Sequence, residues 1–276
     1  MTGGVDADGE PGEKIRLVYS AYGVVFALET MADLLPYLPS PLVPGGEELP
    51  ESDASVPAFR FFRAHTETGE LIFSVAGGDA ADTETAPDVI AAAQLLESRI
   101  HRYVAAESEQ VVFVHAGVVA WRGKALIVPG SSHSGKSTLI AALTALGATY
   151  YSDEYAVFDF DGRVHAFPRQ LRLRPDISHR IASHPSRTPG IALVSLPVGW
   201  VFGLRYSPDA AWKPKRLTAG QMLLTLLGNT VAVRRQSELT VSFLKRALGS
   251  ATGLQSERGE AALAAEQIVR MIEELG

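Results

Sequence analysis

The alternation of apolar and polar residues along the first part of the chain predicts two β-hairpins. The run IRLVYSAYGVVFAL at 15–28 has two β-rich halves around a central turn, and the apolar stretches 59–63 and 70–75 flank a polar turn. The segment 35–57 is rich in Pro and Gly, which predicts a long loop or a partly disordered connector.

A helical pattern follows the hairpins. Apolar residues recur every three or four positions between 86 and 107, which predicts an amphipathic helix docked on the strands, with His101 on its solvated side. The hairpins and this helix form a predicted small β-rich N-terminal subdomain over residues 15–108. Residues 1–14 are acidic and Gly-rich and lack the basic and apolar regions of a signal peptide, so a disordered leader is predicted there.

The next apolar strands flank a phosphate-loop motif. The stretches 111–121 and 124–128 alternate about Arg122-Gly123 and predict a hairpin. The sequence GSSHSGKS at 130–137 fits G-x-x-x-x-G-K-[ST], and the apolar spacing over 137–146 predicts a helix that begins at the last residue of the motif. An ordinary Gly/Ser turn is the alternative, but the strand before the motif and the helix after it favour phosphate binding.

Each residue type in the phosphate-loop motif has a separate chemical task. Gly130 and Gly135 allow backbone turns that direct successive N–H groups at phosphate oxygens. Lys136 would place an ammonium on the outer phosphates, and Ser137 would offer its hydroxyl to Mg²⁺. The motif therefore predicts binding of a nucleoside triphosphate with Mg²⁺. The predicted nucleotide-binding residues are Gly130, Ser131, Ser132, His133, Ser134, Gly135, Lys136, Ser137 and Thr138.

An acidic pair follows the helix after a short predicted strand at 148–152. Only 16 residues separate Lys136 from Asp153, which is followed by Glu154. A carboxylate at the carboxyl end of a neighbouring strand would face the phosphate-loop motif, where it could bind Mg²⁺ or accept a proton from an attacking hydroxyl. A solvated acidic pair after a strand is the alternative, and it is stronger for Glu154 than for Asp153.

Another hairpin is predicted directly after the acidic pair. Residues 155–160 and 163–167 flank Asp161-Gly162, a strong turn signal. Asp159 and Asp161 are therefore assigned to turn chemistry rather than to metal binding.

Two arginines in the run RQLRLRP form a candidate substrate clamp. In a strand, Arg172 and Arg174 would lie on the same face, where two guanidiniums suit phosphate oxygens or an acidic substrate. A solvated face is the alternative. The rest of the chain predicts buried strands at 191–196 and 200–206 and helices at 218–227, 238–248 and 260–275.

Composition narrows the class of protein. The 276 residues are 46% hydrophobic, which is enough for a full core, and the net charge of -6 provides no overall basic field for nucleic acid. The absence of cysteine excludes disulfides, thiolate zinc sites and cysteine nucleophiles, and it fits a cytoplasmic location. The longest apolar stretch, 191–204, is interrupted by Pro and Gly, so no membrane span is predicted.

Residues 114–159 together resemble the catalytic core of the HPr kinase/phosphorylase superfamily, which is related in fold to ATP-dependent phosphoenolpyruvate carboxykinase. The resemblance rests on the order of three features: a His-x-Gly-like strand with His115, the phosphate-loop motif, and the acidic pair Asp153-Glu154. It implies an α/β fold with a P-loop nucleotide-binding core and a mixed sheet, over a kinase domain at 109–276.

The resemblance also implies roles for the site residues. ATP·Mg²⁺ would occupy the motif, with phosphate and metal held by Lys136 and Ser137, and Asp153 would deprotonate an incoming serine hydroxyl. His115 would lie beside Asp153 and adjust the proton affinity of its carboxylate. The alternative is a core histidine that is hydrogen-bonded to backbone. Ser137, Asp153 and Glu154 would be the metal ligands.

Three departures from the superfamily pattern stand out. The second acid is Glu154, the loop carries His133 where a small residue is usual, and RQLRLRP replaces the usual signature after the acidic pair. Shorter members of the superfamily resemble this chain. They include kinases that modify a serine on a ribosomally made peptide precursor, such as that of a lasso peptide, and others that act on free serine.

The sequence therefore predicts an ATP-dependent kinase that phosphorylates a serine hydroxyl of a peptide or protein. One alternative is a small-molecule kinase acting on free serine or a similar alcohol. Another is a nucleotide-dependent regulatory or binding protein with little turnover. The superfamily often assembles into rings, so a homo-oligomer is a further expectation.

Overall fold

The computed structural model describes residues 13–50, 55–78, 80–131, 134–169, 194–231 and 237–275. Ser132, His133, Arg172 and Arg174 lie outside the described residues, as does the predicted leader up to residue 12. The chain is an α/β protein with two mixed sheets. It divides into two compact units, 1–109 and 110–276. In the described part of the chain, no helix combines the length and apolarity needed to cross a membrane.

The first unit contains a six-stranded sheet. Its strands are β1 (Lys14–Ala21), β2 (Val24–Met31), β3 (Glu47–Leu49), β4 (Ala58–His65), β5 (Leu71–Gly77) and β6 (Ala80–Ala86), in the spatial order β3-β1-β2-β4-β5-β6. Both predicted hairpins are confirmed, as β1–β2 and β4–β5. The first closes through Tyr22 and Gly23 with φ of 51° and 79°, the positive values that a two-residue hairpin turn requires.

Some N-terminal expectations are wrong. Lys14 is the first residue of β1, so the predicted leader extends too far. The described part of the predicted connector 35–57 is mostly irregular, as expected, although it also contains the short strand β3 and the end of a 3-10 helix, Ala32–Tyr37. The edge strand β6 was not predicted, because its sequence AADTETA lacks an apolar alternation.

One helix, α1 (Val89–Glu107), packs against β4, β5 and β6. Its N-terminus is capped by Asp88, whose side chain accepts a 2.8 Å hydrogen bond from the Ala91 N–H. The predicted solvated position of His101 is wrong. Its side chain is buried, and its Nε2 lies 3.2 Å from the Leu42 carbonyl oxygen, because the buried face of α1 is wider than its apolar stripe.

The second unit contains an eight-stranded sheet with helices on both faces. Its strands follow the spatial order β11-β10-β7-β8-β12-β14-β13, with β9 also paired to β7 and β11 also paired to β12. The strands are β7 (Val112–Trp121), β8 (Lys124–Pro129), β9 (Thr149–Ser152), β10 (Tyr155–Phe158), β11 (Arg163–His165), β12 (Leu196–Tyr206), β13 (Lys215–Leu217) and β14 (Thr252–Arg258), and the helices are α2 (Lys136–Ala145), α3 (Ala219–Leu227), α4 (Ser237–Ala247) and α5 (Ala261–Leu275).

The central strand β8 is buried on both faces. Ile127 belongs to a core cluster with residues of α3 and α4, whereas Leu126 and Val128 belong to a second cluster with residues of α2 and α5. A strand covered on both sides reads as a continuous apolar run, which explains the sequence ALIV before the phosphate-loop motif.

The C-terminal predictions are partly corrected. The two strands expected at 191–196 and 200–206 are a single strand from residue 196 onward, and 191–193 lie outside the described residues. Strand β14 lies between the helices predicted at 238–248 and 260–275 and was not predicted. Its buried face carries Leu254, Ser256 and Arg258, so two of its three inward positions are polar and give no apolar alternation.

Strand direction places several chain ends at one edge of the sheet. Strands β8, β12 and β14 are mutually parallel, and β9 runs in the same direction because both β8 and β9 are antiparallel to β7. Ligand sites in α/β proteins lie outside the carboxyl ends of such strands. The phosphate-loop motif, the acidic pair and the end of β14 all lie at this edge.

Candidate functional site

A short segment of β7 supports the phosphate-loop motif. Ala116 pairs with Pro129, the last residue of β8. The N–H of Gly130, the first residue of the motif, donates a 3.1 Å hydrogen bond to the His115 carbonyl. The start of the motif is therefore fixed by the backbone of the His-x-Gly-like strand.

The same segment supports the acidic pair on its other side. Asp153 and Glu154 lie between β9 and β10, which follow one another along the second edge of β7, and the Ala116 N–H donates a 3.1 Å hydrogen bond to the Glu154 carbonyl. The Ser152 hydroxyl accepts N–H bonds from Glu154 at 3.1 Å and from Tyr155 at 3.0 Å, which fixes the turn. Motif and acidic pair are thus held on either side of one strand.

The helix after the motif begins where the sequence predicts. Gly135 has φ of 80°, a conformation that favours glycine, and α2 starts at Lys136. Helix α2 lies directly on β7 at Gly117, where a Cβ would stand only 2.5 Å from Ile140 Cγ1. Gly117, the glycine of the His-x-Gly-like strand, therefore serves packing, because the absence of a Cβ allows α2 to approach β7.

Lys136 is buried beside the motif. Its Nζ donates a 2.7 Å hydrogen bond to the Ser131 carbonyl. Burial lowers the pKa of Lys136, while the carboxylates of Asp153 and Glu154 raise it in part and Arg169 lowers it further. The positive charge is therefore poorly solvated at this position, a state that an anionic ligand would relieve.

The other motif residues vary in exposure. The Ser134 hydroxyl is buried and has no hydrogen-bond partner among the described residues, whereas Ser131 is exposed and Thr138 is half-buried on α2. Buried hydroxyls are rarely left without a partner, so Ser134 suits a site that receives additional oxygen atoms from a ligand.

The Asp153 carboxylate is fully buried and accepts three hydrogen bonds. The Ser137 hydroxyl donates to Oδ2 at 2.8 Å, and Oδ1 receives the Tyr150 hydroxyl at 3.0 Å and Arg169 Nε at 3.2 Å. A carboxylate has about four acceptor positions, so one position on Oδ2 remains. The acidic pair is not a solvated pair: Arg169 also contacts Glu154 Oε2 at 3.0 Å, and the Glu154 side chain is 16% exposed.

Tyr150 and Arg169 were missed by the sequence analysis. Burial, followed by the charge of Asp153, raises the pKa of the Tyr150 phenol, so it stays protonated and donates its hydrogen bond at neutral pH. Tyr150 reads in sequence as an ordinary strand residue. Arg169 opens the run RQLRLRP, and the path of the chain after β11 brings this arginine to the acidic pair.

His115 lies closer to the second acid than the sequence analysis expected. Burial is the main cause that lowers its pKa, and Lys136 contributes, while the charge of Glu154 and a hydrogen bond to the Glu154 backbone raise it. Its ring lies 4.8 Å from the Tyr155 ring. His115 is therefore neutral at pH 7, and the carboxylate that influences its pKa is Glu154.

Arg258, at the end of β14, was also missed. Its guanidinium donates from Nη2 to the Gly135 carbonyl at 2.9 Å and from Nη1 to the Gly259 carbonyl at 3.0 Å. It lies 5.3 Å from the ring centre of Tyr206, its register partner on β12. The Arg258 side chain is buried. Through its hydrogen bond to Gly135 it is a second cation, besides Lys136, that contacts the phosphate-loop motif.

Metal ligation would depend on few protein groups. In the ranges that the structure describes, no three His, Asp or Glu side chains cluster as a metal site. Ser137, Asp153 and Glu154 offer the oxygen ligands that Mg²⁺ prefers, and Mg²⁺ is commonly held by one or two carboxylates with the phosphates of its substrate.

Asp159 accepts a 2.8 Å hydrogen bond from the Arg163 N–H in its hairpin turn, which confirms its predicted turn role.

Comparison with known proteins provides no family assignment. No protein-family model matches the chain, and a search of curated proteins found no match. The functional interpretation therefore rests on the residues and contacts described above.

Proposed function

We propose that the chain is an ATP-dependent kinase with a P-loop core that transfers the γ-phosphate of ATP to a serine hydroxyl of a peptide or protein. One observation carries the proposal: the 2.8 Å hydrogen bond between Ser137 Oγ and Asp153 Oδ2. It joins the last residue of the phosphate-loop motif to the first carboxylate after β9. The group assigned to Mg²⁺ and the group assigned to proton transfer are therefore neighbours.

The residues present fit a nucleotide with its metal. The N-terminus of α2 offers backbone N–H groups, Lys136 offers a desolvated ammonium, and Ser134 offers a buried hydroxyl without a described partner. Ser137 and Glu154 would hold Mg²⁺, and the remaining acceptor position of Asp153 is left for the proton of the acceptor hydroxyl. When bound, Mg²⁺ would supply positive charge that offsets the charge developing on the phosphate oxygens.

Asp153 is the proposed general base. The acceptor oxygen forms a bond to the γ-phosphorus while the bond from phosphorus to the β–γ bridging oxygen breaks, and ADP leaves with that electron pair. The acceptor's hydroxyl proton passes to Asp153, whose Oδ2 retains one acceptor position. Tyr150 and Arg169 hold this carboxylate in place. Correct positioning and charge neutralisation provide most of the catalysis, because phosphoryl transfer requires little covalent chemistry from the protein.

The proposal is tested by an ATP-consumption assay with Mg²⁺ that scans free serine, HPr and short serine-containing peptides. Mass spectrometry identifies any acceptor that gains one phosphate, and the same peptide with its serine replaced by alanine is the control. Phosphorylated peptide or protein is the expected result. Phosphorylation of free serine alone would favour the small-molecule kinase, and ATP binding without any transfer would favour the regulatory protein.

A further inference from the structure

Three cationic side chains are buried among the described residues: Arg99, Lys136 and Arg258. Arg99 donates to the carboxylate of Glu84, with Nε at 3.0 Å from Oε1. Lys136 and Arg258 donate to backbone carbonyls instead, at the two ends of one loop segment: Lys136 to Ser131 and Arg258 to Gly135. Within the described ranges, no carboxylate lies within salt-bridge distance of Lys136 or Arg258.

Gly135 and Arg258 fit each other closely. A Cβ at Gly135 would stand 2.5 Å from Nη2 of Arg258, so the guanidinium lies directly against this glycine, whose positive φ already favours the residue type. Arg258 ends β14 and Tyr206 ends the parallel strand β12, so this guanidinium lies at the ligand-binding edge of the sheet.

Among the described residues, no carboxylate lies within salt-bridge distance of Arg258. Its hydrogen-bond acceptors are neutral carbonyls, and burial lowers its pKa, while the more distant charges of Tyr206 and Glu260 raise it in part; an arginine stays protonated at neutral pH. Buried charges in proteins are normally paired. A buried guanidinium that has no salt bridge and is hydrogen-bonded to the phosphate-loop motif therefore favours a negatively charged ligand beside it.

We propose that Arg258 is a second cationic residue of the nucleotide site, which holds Gly135 in position and, together with Lys136, supplies the charge that a bound polyphosphate neutralises. This inference rests on the proposed function. It adds a residue from outside the motif, more than 100 positions along the chain, to the binding of the triphosphate.

The test compares Arg258→Met with Arg258→Lys in titrations of Mg·ATP and of inorganic tripolyphosphate. Met removes the charge and is expected to weaken binding of both probes by roughly tenfold or more, whereas Lys keeps the charge and stays within about threefold of the unchanged protein. Binding to Arg258→Met should also depend less on salt, because one screened charge is gone. Arg205→Met is the matched control, because Arg205 is an exposed arginine on β12, paired with Glu257.

Two results would overturn the inference: unchanged affinity of folded Arg258→Met, or equal weakening by Met and Lys with an unaltered salt dependence, which would indicate a purely structural role. Thermal unfolding checks that each variant is folded. If Arg258→Met does not fold, Arg258→Gln replaces it, since glutamine lacks the charge but can still donate a hydrogen bond.

The same titrations separate this inference from the proposed function. If the unchanged protein binds neither ATP nor tripolyphosphate, both are wrong. If it binds both probes but phosphorylates no acceptor, the kinase assignment is wrong, and the comparison of the Arg258 variants still decides the role of this residue.

Discussion

In the N-terminal unit the buried guanidinium of Arg99 meets the carboxylate of Glu84, whereas in the C-terminal unit the buried cations Lys136 and Arg258 donate to carbonyl oxygens. In the first arrangement the two side chains carry opposite charges that offset each other, and their contact links α1 to β6. The second leaves two cations at the phosphate-loop motif that have no carboxylate within salt-bridge distance among the described residues and are offset only in part by more distant acids. Buried charge therefore has a structural role in the first unit, whereas in the second it supports the proposed nucleotide site.

The largest expected effect is on nucleotide binding. Lys136→Ala should weaken binding of Mg·ATP by about 100-fold or more, because the ammonium next to the phosphates is lost. Arg99→Met should leave the affinity unchanged, since its charge is already matched by Glu84. Isothermal titration calorimetry of both variants measures the affinities. Comparable ATP affinity for the two variants would show that the buried cations of the two units do not differ in this role.

The second effect separates the two acids. Asp153→Asn should lower kcat by about 100-fold or more while the affinity for ATP stays within about threefold, as expected for a lost general base. Glu154→Gln, the matched control, should lower kcat by roughly tenfold, since Glu154 is proposed to assist with the metal only. Steady-state kinetics measure both, and a larger loss for Glu154→Gln would transfer the role of base to Glu154.

The third effect is on the free energy of unfolding. Here the substitution of Arg99 should have the larger effect and that of Lys136 the smaller. Arg99→Met should lower the free energy of unfolding by about 2 kcal/mol, because it removes charged hydrogen bonds at a buried position. Lys136→Met should cost less than about 1 kcal/mol, because it removes a desolvated charge that has no carboxylate within salt-bridge distance in the described structure. Urea denaturation of both variants measures the difference, and a greater loss for Lys136→Met would contradict a ligand-binding role for its charge.

The smallest effect is a pH dependence from His115. Burial lowers its pKa below the ordinary value of about 6.5, so the unfolded chain binds this proton more readily than the folded chain. The stability contributed by neutral His115 is complete above about pH 6.5 and is lost as pH falls through the lower folded value. Between about pH 7 and about pH 5, the unchanged protein should lose more stability than His115→Asn. Urea denaturation of both proteins at the two pH values measures this. If the unchanged protein and His115→Asn lose the same stability, the His115 pKa is not lowered.

Local patterns predicted the strands and turns around the candidate site. The β7–β8 hairpin, the start of α2 and the acidic pair after β9 follow from apolar alternation and from glycines with positive φ, such as Gly123 and Gly135. These signals are local, because each depends on residues a few positions apart. The P-loop core and the roles of its residues remain predictions.

The residues that the sequence did not reveal depend on long-range packing. Arg258 reaches Gly135 only because β14 lies beside β12, and β14 escaped detection because its inward positions include Ser256 and Arg258. Arg169 contacts Asp153 through the path of the chain after β11. Arg172 and Arg174, the candidate clamp for which a solvated face was the alternative, lie outside the described residues.

The most direct test of the account is the intact mass of a serine-containing acceptor peptide after incubation with Mg·ATP and either the unchanged protein or Asp153→Asn. The account predicts one added phosphate on the serine with the unchanged protein and almost none with Asp153→Asn, although both bind ATP. Equal phosphorylation by the two proteins would contradict the role of Asp153, and binding of ATP without transfer to any acceptor would contradict the kinase itself.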